Sequence, residues 1–444
     1  MCRTPTPGPI RVNEFFVHRD GDMFAEAASV ARIATAVGTP FYLYSAAALA
    51  TRYRDFADAF TPTSPLICYA VKANPNLAVL RLFAGLGAGA DVVSKGELRR
   101  ALDAGIPPTR IVFSGVGKTD AELQAALDAG IRQINVESVP ELRRLGELAA
   151  ARGQTAPVAL RVNPDVDALT HAKIATGKSE NKFGIAIDDA PKAYGLAARL
   201  PGIAPVGFAV HIGSQLTDLA PFRAAFARVA ALVRELRAAG MAVGRLDLGG
   251  GLGIRYRDET PPAPAAYAAL VREAFAGLDL DLAVEPGRVL CGPAGVLVAR
   301  VVYVKDGPER RFVILDAGMN DLIRPALYDS WHDIVPVRQP IPGIARQPAD
   351  VVGPVCETGD TFATARDLPP LAAGDLVALT NAGAYGAAMS STYNSRPLVP
   401  EVLVAGSRFA VIRRRPSHEE MLALEAVPDW LADAAGAMAM GDAA

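Results

Sequence analysis

The sequence predicts a (β/α)8 barrel followed by a second, mainly antiparallel β domain, a sandwich or small barrel. Two observations predict it. Between residues 46 and 290, short apolar runs alternate with Ala/Leu/Arg-rich amphipathic stretches, eight runs in all. Beyond residue 290, apolar runs follow one another without long helices between them. Strict alternation calls for a parallel sheet, and eight βα units in ~250 residues is the size of a closed barrel. A doubly wound open sheet competes, but it rarely needs eight consecutive units.

The elements follow in order. The segment RVNEFFVHRDGDMFAEA reads as short strands, so residues 1–45 are expected to join residues 291–444 in the β domain. The first four barrel strands are LICYAV (66–71), GADVVS (89–94), RIVFS (110–114) and RQINVES (132–138). The other four are PVALRVN (157–163), PVGFAVH (205–211), GRLDLGG (244–250) and DLAVEPG (281–287). Each is rich in Val, Ile, Leu or Phe, as a strand buried on both faces should be. Helical stretches such as ELRRALDAG (97–105), AELQAALDAG (121–130) and FRAAFARVAALVRELRAAG (222–240) end at or beside Gly, the usual C-terminal signal. The later strands are GVLVARVVYVK (295–305), RFVILDAG (311–318), DLVALTNAG (375–383) and EVLVAGSRFAVIRRR (401–415). The polar loop 164–184 after the fifth strand is long enough for a lid, with His171 either at the site or on the surface. The Ala-rich tail after Val427 is expected to add little.

Composition narrows the class. At 444 residues and 51% hydrophobic, the chain has material for two or three sizeable cores. Lys plus Arg number 45 against 47 for Asp plus Glu, a net charge of -2 that exerts no general pull on nucleic acid or an anionic membrane. Cys2, Cys68, Cys291 and Cys356 are scattered without a CxxC pair, which argues against a disulfide framework or a zinc site and for a cytoplasmic location. The N-terminal MCRTPTPGPIRV lacks the apolar core of a signal peptide. The longest stretch free of charge, Leu376–Ser395, is broken by polar residues and does not suit a bilayer.

Barrel active sites form at the C-terminal strand ends, and polar residues and glycines collect there: Lys72, Ser94, Asn163, His211 with Gly213 and Ser214, then Gly249, Gly250 and Gly251, then Glu285, Gly287 and Arg288. Lys72 ends an apolar run. Desolvation there is expected to lower its pKa and suit it to Schiff-base formation, although a lone lysine is more often salt-bridged. Three glycines at the end of strand seven let backbone N–H groups approach a phosphate, with Arg288 and Ser214 as further donors. A Schiff-base lysine facing a phosphate cup suggests pyridoxal 5′-phosphate. Glu285 then suits the ring nitrogen, whose proton makes the cofactor an electron sink; an ion pair with Arg288 is the alternative. His211 suits the ring face, or else is an ordinary core histidine.

The motifs YAVKAN (69–74), GADVVSKGEL (89–98), HIGSQ (211–215), GGGLG (249–253), EPGR (285–288), GPVCETGD (353–360) and GAYG (383–386) resemble those of the fold-type III pyridoxal-phosphate decarboxylases over nearly the whole chain. The resemblance implies that Lys72 binds the cofactor's aldehyde, His211 stacks on its ring, Ser214, Gly249, Gly250, Gly251 and Arg288 hold the phosphate, and Glu285 meets the ring nitrogen. It further implies a homodimer with shared sites, in which Cys356 donates a proton in the neighbour's site and Tyr385 touches the cofactor. Without the resemblance, Cys356 reads as a small buried core residue.

The substrate follows from charge. A small amino acid ending in a second amino-acid head needs cations and an acid together at the distal end, because either charge buried alone is costly. Arg324 and Tyr328 in MNDLIRPALYD (319–329), Glu357 beside Cys356, Tyr385 and Arg288 supply that set; for Arg324 a surface ion pair is the plainer reading. The segments LDAGMNDLIRPALYDSWHDI (315–334) and GAYGAAMSSTYNSRP (383–397) resemble the diaminopimelate-specific branch of the family. Ornithine, arginine and D-amino acid decarboxylases on the same scaffold are the alternatives.

Overall fold

The computed structural model describes residues 11–168, 176–177 and 182–431. Four short strands open it, β1 (Arg11–Asn13), β2 (Phe16–Arg19), β3 (Asp22–Ala25) and β4 (Ala28–Ser29), paired antiparallel as a small sheet of their own. The helix Val30–Val37 follows, and then β5 (Phe41–Ser45), whose five residues are all buried.

The eight apolar runs become the staves of a closed barrel. These are β6 (Leu66–Ala70), β7 (Gly89–Val92), β8 (Ile111–Phe113), β9 (Gln133–Val136) and β10 (Ala156–Asn163), then, past the two-residue β11 (Ile185–Ala186), β12 (Ile203–Val210), β13 (Arg245–Asp247) and β14 (Asp281–Val284). Each pairs in parallel with the next, and β14 returns to β6 through Ala283–Leu66 and Val284–Ile67, which closes the ring and excludes the open doubly wound sheet. Among the described residues seven helices lie between the staves, among them Lys95–Asp103, Val139–Ala151 and Ala220–Ala238. Ser94 caps the first of these through Glu97 N–H and Ser138 caps the second through Glu141 N–H, so these two strand-end serines serve helix starts. Gly130 ends Asp120–Ala129 in the left-handed conformation, as its position in the sequence suggested.

The second sheet contains β15 (Gly295–Asp306), β16 (Arg311–Leu315), β17 (Ile334–Pro336), β18 (Gln347–Val352), β19 (Thr361–Leu368), β20 (Leu376–Leu379), β21 (Glu401–Ala405) and β22 (Arg408–Arg413). The twelve-residue β15 is its spine, antiparallel to β5, β16 and β20. Among the described strands of this sheet, only β16–β18 and β5–β21 are parallel. The run 401–415 was expected as one strand. It is a hairpin, because Gly406 at φ 62° lets the chain turn back and pair β21 with β22.

Phe41 and Leu43 of β5, with Val296, Val298, Val402 and Val404, form an apolar layer covered by Phe16, Met23, Val30 and Ile33. Each such side chain stabilises by about 1.5–3 kcal/mol when fully buried. Hydrogen bonds clip this domain across the barrel mouth. Tyr385 N–H donates to Ala73 O (2.8 Å), Asn74 Nδ2 to Gly383 O (3.2 Å), and Asn76 Nδ2 to Glu401 Oε1 (2.8 Å). Among the described residues, no helix is long and apolar enough to cross a membrane.

Candidate active site

Lys72 lies in a single 3-10 turn, Val71–Ala73, directly after β6. Its Nζ sits 2.6 Å from Oδ2 of Asp91, a fully buried residue of β7. Burial alone pulls the amine down, as expected from the sequence. The charge of Asp91 and its hydrogen bond outweigh burial, however, and the net shift is upward. The expected low pKa is therefore corrected: with Asp91 this close, Lys72 is an ammonium. The salt-bridged reading and the reactive one describe the same side chain.

His211 follows β12 and is held by Gly250 N–H, which donates to its Nδ1 (3.2 Å). Burial, with the positive charges of Arg161 and Lys72 nearby, pushes its pKa well below the usual histidine range. The imidazole is neutral, an acceptor at Nδ1, and therefore carries its proton on Nε2. Arg161 is itself neutralised by Glu137 (2.7 Å), whose oxygens also accept from Gly115 and Gly184 N–H.

Gly249, Gly250 and Gly251 form a bend between β13 and the residues after β12. Gly249 and Gly251 have φ of 65° and 111°, and a Cβ on any of the three would collide with the carbonyl oxygens of Val210, Glu285 and Gly213 respectively. Only glycine fits. Glu285 follows β14. Burial raises its pKa, and the neighbouring carboxylates of Asp247 and Asp91 raise it further, so it holds a proton and donates it in a hydrogen bond to Asp247. No Glu285–Arg288 ion pair forms; Arg288 is bonded elsewhere. It donates to Tyr256 Oη (2.7 Å) and Ser214 Oγ (3.0 Å), and its guanidinium lies 4.8 Å from the centre of the Tyr385 ring.

Arg324 begins the short helix Arg324–Tyr328 between β16 and β17. It is 5% exposed, not on the surface, and lies against the rings of Tyr256 (5.2 Å) and Tyr328 (5.9 Å) with one hydrogen bond to Ser330 Oγ (3.1 Å). Among the described residues, Nε of Arg288 and Nε of Arg324 are buried without a partner.

Lys72, His211, Ser214, Gly249, Gly250, Gly251, Glu285, Gly287, Arg288, Arg324, Tyr328 and Tyr385 line one cavity of about 200 Å³. A second of about 340 Å³ adjoins it and shares Lys72, His211 and Glu285 with Asn135, Arg161 and Asp247. Cys356 and Glu357 lie apart, exposed on the turn between β18 and β19, where Cys356 N–H donates to Asn394 Oδ1 (3.1 Å). That exposure rules out the buried-core reading of Cys356. His171 lies outside the described residues, as does most of the proposed lid. Sequence reasoning missed Asp91, Asp247 and Tyr256. For the two aspartates a signal existed: an acid inside a strand buried on both faces needs a partner. Tyr256 sits in a loop and had none.

A barrel mouth carrying a lysine, a protonated carboxyl and a glycine–arginine cup has counterparts among known proteins. Residues 46–292 match the family model described as the pyridoxal-dependent decarboxylase, pyridoxal binding domain. Diaminopimelate decarboxylase of Zymomonas mobilis is 50% identical over 421 residues, 94% of this chain and 99% of the relative. That of Pseudomonas aeruginosa is 52% identical over 412 residues, covering 93% and 99%. Among solved structures, diaminopimelate decarboxylase from M. jannaschii in complex with L-lysine superposes with a TM-score of 0.90 at 36% identity, over 95% of this chain and 100% of that one. The Helicobacter pylori enzyme with L-lysine gives 0.85 at 43% identity, over 89% and 98%. With matches of this identity running along nearly its full length, the chain belongs to the pyridoxal-dependent decarboxylases, within their diaminopimelate decarboxylase branch.

Proposed function

We propose that the cavity removes one carboxyl group from meso-2,6-diaminopimelate to give L-lysine and carbon dioxide, closing lysine biosynthesis, with pyridoxal 5′-phosphate as cofactor. The carrying observation is the division of the cavity. One wall holds an amine, a protonated carboxyl and a glycine–serine–arginine cup, and the other holds the buried Arg324, which has no carboxylate partner among the described residues. The first set fits a phosphorylated pyridine aldehyde, group for group. When bound, that cofactor supplies an electron sink for the pair left behind by departing carbon dioxide.

The chain's own residues do the rest. Lys72 would hold the cofactor's aldehyde end, and Asp91, 2.6 Å away, is placed to take the proton that the ammonium must lose to become a nucleophile. Neutral His211 packs against the ring face. Glu285 would turn the proton it donates to Asp247 toward the ring nitrogen. Gly249, Gly250, Gly251, Gly287, Ser214 and Arg288 hold the phosphate. Arg324, Tyr328 and Tyr385, with Arg288, take the substrate's distal head, where a guanidinium answers a buried carboxylate. Cys356 and Glu357 work in the site of a second copy of the chain, Cys356 returning a proton to the α-carbon and Glu357 meeting the distal ammonium. Their exposure outside this chain's own cavity supports that reading, and with it a homodimer. Residues 46–290 are the cofactor-binding barrel, and residues 1–45 with 291–444 complete the site. The free thiols of Cys68, Cys291 and Cys356 suit the cytoplasm.

The test is product analysis. Purified protein with meso-diaminopimelate should release carbon dioxide and L-lysine, and borohydride reduction followed by peptide mapping should label Lys72. Faster turnover of ornithine, or label on another lysine, would overturn the reading. For the shared site, mixing Lys72→Ala chains with Cys356→Ala chains should restore activity through hybrid dimers; absence of recovery would show that each chain's site is self-contained.

A further inference from the structure

Lining the second cavity, four polar side chains, each in or directly after a different stave, close a ring. Asp247 ends β13 and is 1% exposed. Its Oδ1 accepts from Gly249 N–H (3.1 Å) and its Oδ2 from Asn135 Nδ2 (3.0 Å). Asn135 also donates to Ser114 Oγ (3.1 Å), Ser114 reaches Glu285 Oε1 (3.4 Å), and Glu285 donates back to Asp247. Gln133 Nε2 anchors the ring from behind at Asn135 Oδ1 (3.0 Å). Among the described residues neither Asp247 nor Glu285 makes an ion pair, since Lys72 is bound to Asp91 and Arg161 to Glu137. Lys72, Asp91, Cys68 and Tyr267 are the other titratable groups that face the pair.

Two carboxyl groups this close in a buried site do not both ionise. The two backbone and amide donors fall on Asp247, so the negative charge resides there and the proton on Glu285. One side chain thereby touches both ends of the cofactor's seat: the glycine bend through one oxygen, the protonated carboxyl through the other.

We propose that Asp247 is a positioning residue that couples the glycine cup to Glu285, so that one buried carboxylate sets both the phosphate end and the ring-nitrogen end of the cofactor site. The inference rests on the reading of the cavity as a pyridoxal phosphate site, and it adds a residue that touches no reacting atom.

Two substitutions separate the ends. Asp247→Asn retains an oxygen for Gly249 N–H but removes the negative charge beside Glu285. Asp247→Ala removes both. The full-length protein, stripped of cofactor, is titrated with pyridoxal 5′-phosphate and with pyridoxal, following absorbance of the bound form. Asp247→Asn should weaken both ligands by a similar factor, on the order of 10–100-fold as for other groups that orient a binding residue. It should also make a further Glu285→Gln change nearly silent, as expected for coupled residues. Asp247→Ala should in addition shrink the preference for pyridoxal 5′-phosphate over pyridoxal by about tenfold or more, because the cup is then unsupported. If Asp247→Ala does not fold, the Asp247→Asn titration and its combination with Glu285→Gln decide alone. Binding by Asp247→Asn within twofold of the parent, or full additivity with Glu285→Gln, overturns the coupling. A parent protein that binds no pyridoxal 5′-phosphate overturns instead the reading of the cavity.

Discussion

The two walls of the cavity differ in how they treat buried charge. On the barrel wall the cations Lys72 and Arg161 are each paired with a carboxylate, and one of two adjoining carboxyls is neutral. Lys72 has Asp91, Arg161 has Glu137, and Glu285 keeps its proton against Asp247. On the wall shared with the β domain, Arg324 lies among Tyr256 and Tyr328 with the Ser330 hydroxyl but, among the described residues, no carboxylate for company. A buried ion pair is complete by itself, whereas a buried cation among aromatic rings is stabilised only in part and gains most from an incoming anion. The contrast teaches that the barrel wall is built to hold and tune a resident group, and the other wall to select a visitor by its negative charge.

The sharpest way to break this contrast is at Arg324. In Arg324→Met a substrate's distal carboxylate meets no cation, and kcat/KM for meso-diaminopimelate should fall by on the order of 10²–10³-fold, mostly through KM. Turnover of ornithine, which lacks that carboxylate, should change less than threefold. Equal loss for both substrates would show that the cation does not select.

On the matched wall, Asp91→Asn should do something different. It removes the anion that favours the Lys72 ammonium and leaves the burial that disfavours it, so the amine's pKa moves down. Labelling of Lys72 by an amine-directed reagent, followed against pH, should shift to lower pH by roughly 1–3 units, the usual effect of one close opposite charge. An unshifted profile would mean that Asp91 is not what holds the ammonium.

The smallest expected effect lies at the edge of the barrel wall. Glu97 accepts from Val93 N–H (2.8 Å), and burial, aided by the charge of Asp91, pushes its pKa up to about 7. A carboxyl raised above its unfolded value near 4.5 contributes stability that is complete below that value and is lost as pH rises through about 7. Glu97→Gln keeps the acceptor and removes the titration. Urea unfolding should show the variant more stable by about 1–3 kcal/mol at pH 8 and no different at pH 4–5. Curves of equal slope against pH would show that Glu97 does not titrate there.

Legibility tracks how local each feature is. The barrel was readable because each stave is a run of buried apolar residues with a helix beside it, in several cases behind a capping serine, as in GADVVS leading through Ser94 into Lys95–Asp103. The site residues at the strand ends were readable for the same reason, since a strand's end and its loop are neighbours in sequence. The hairpin at Gly406 was not, because EVLVAGSRFAVIRRR is apolar on both sides of its turn and one glycine inside a strand-like run is ambiguous. Nor was the partner of Lys72: Asp91 is 19 residues away and meets it only because β6 and β7 lie side by side. Tyr256, which places Arg288 and faces Arg324, belongs to a loop with no periodic signal at all.

By itself the sequence determined the strand rhythm, the order of the two domains and the chemistry available at each strand end, because these depend on side-chain type and short-range spacing. Tertiary structure alone decided which charges would be cancelled and which left waiting: Lys72 by Asp91, Glu285 by a proton shared with Asp247, and Arg324, among the described residues, by rings and a hydroxyl. The protonation of a buried group depends on neighbours brought within a few ångströms by barrel closure and by the clip of the β domain, and chain separation carries no measure of that distance.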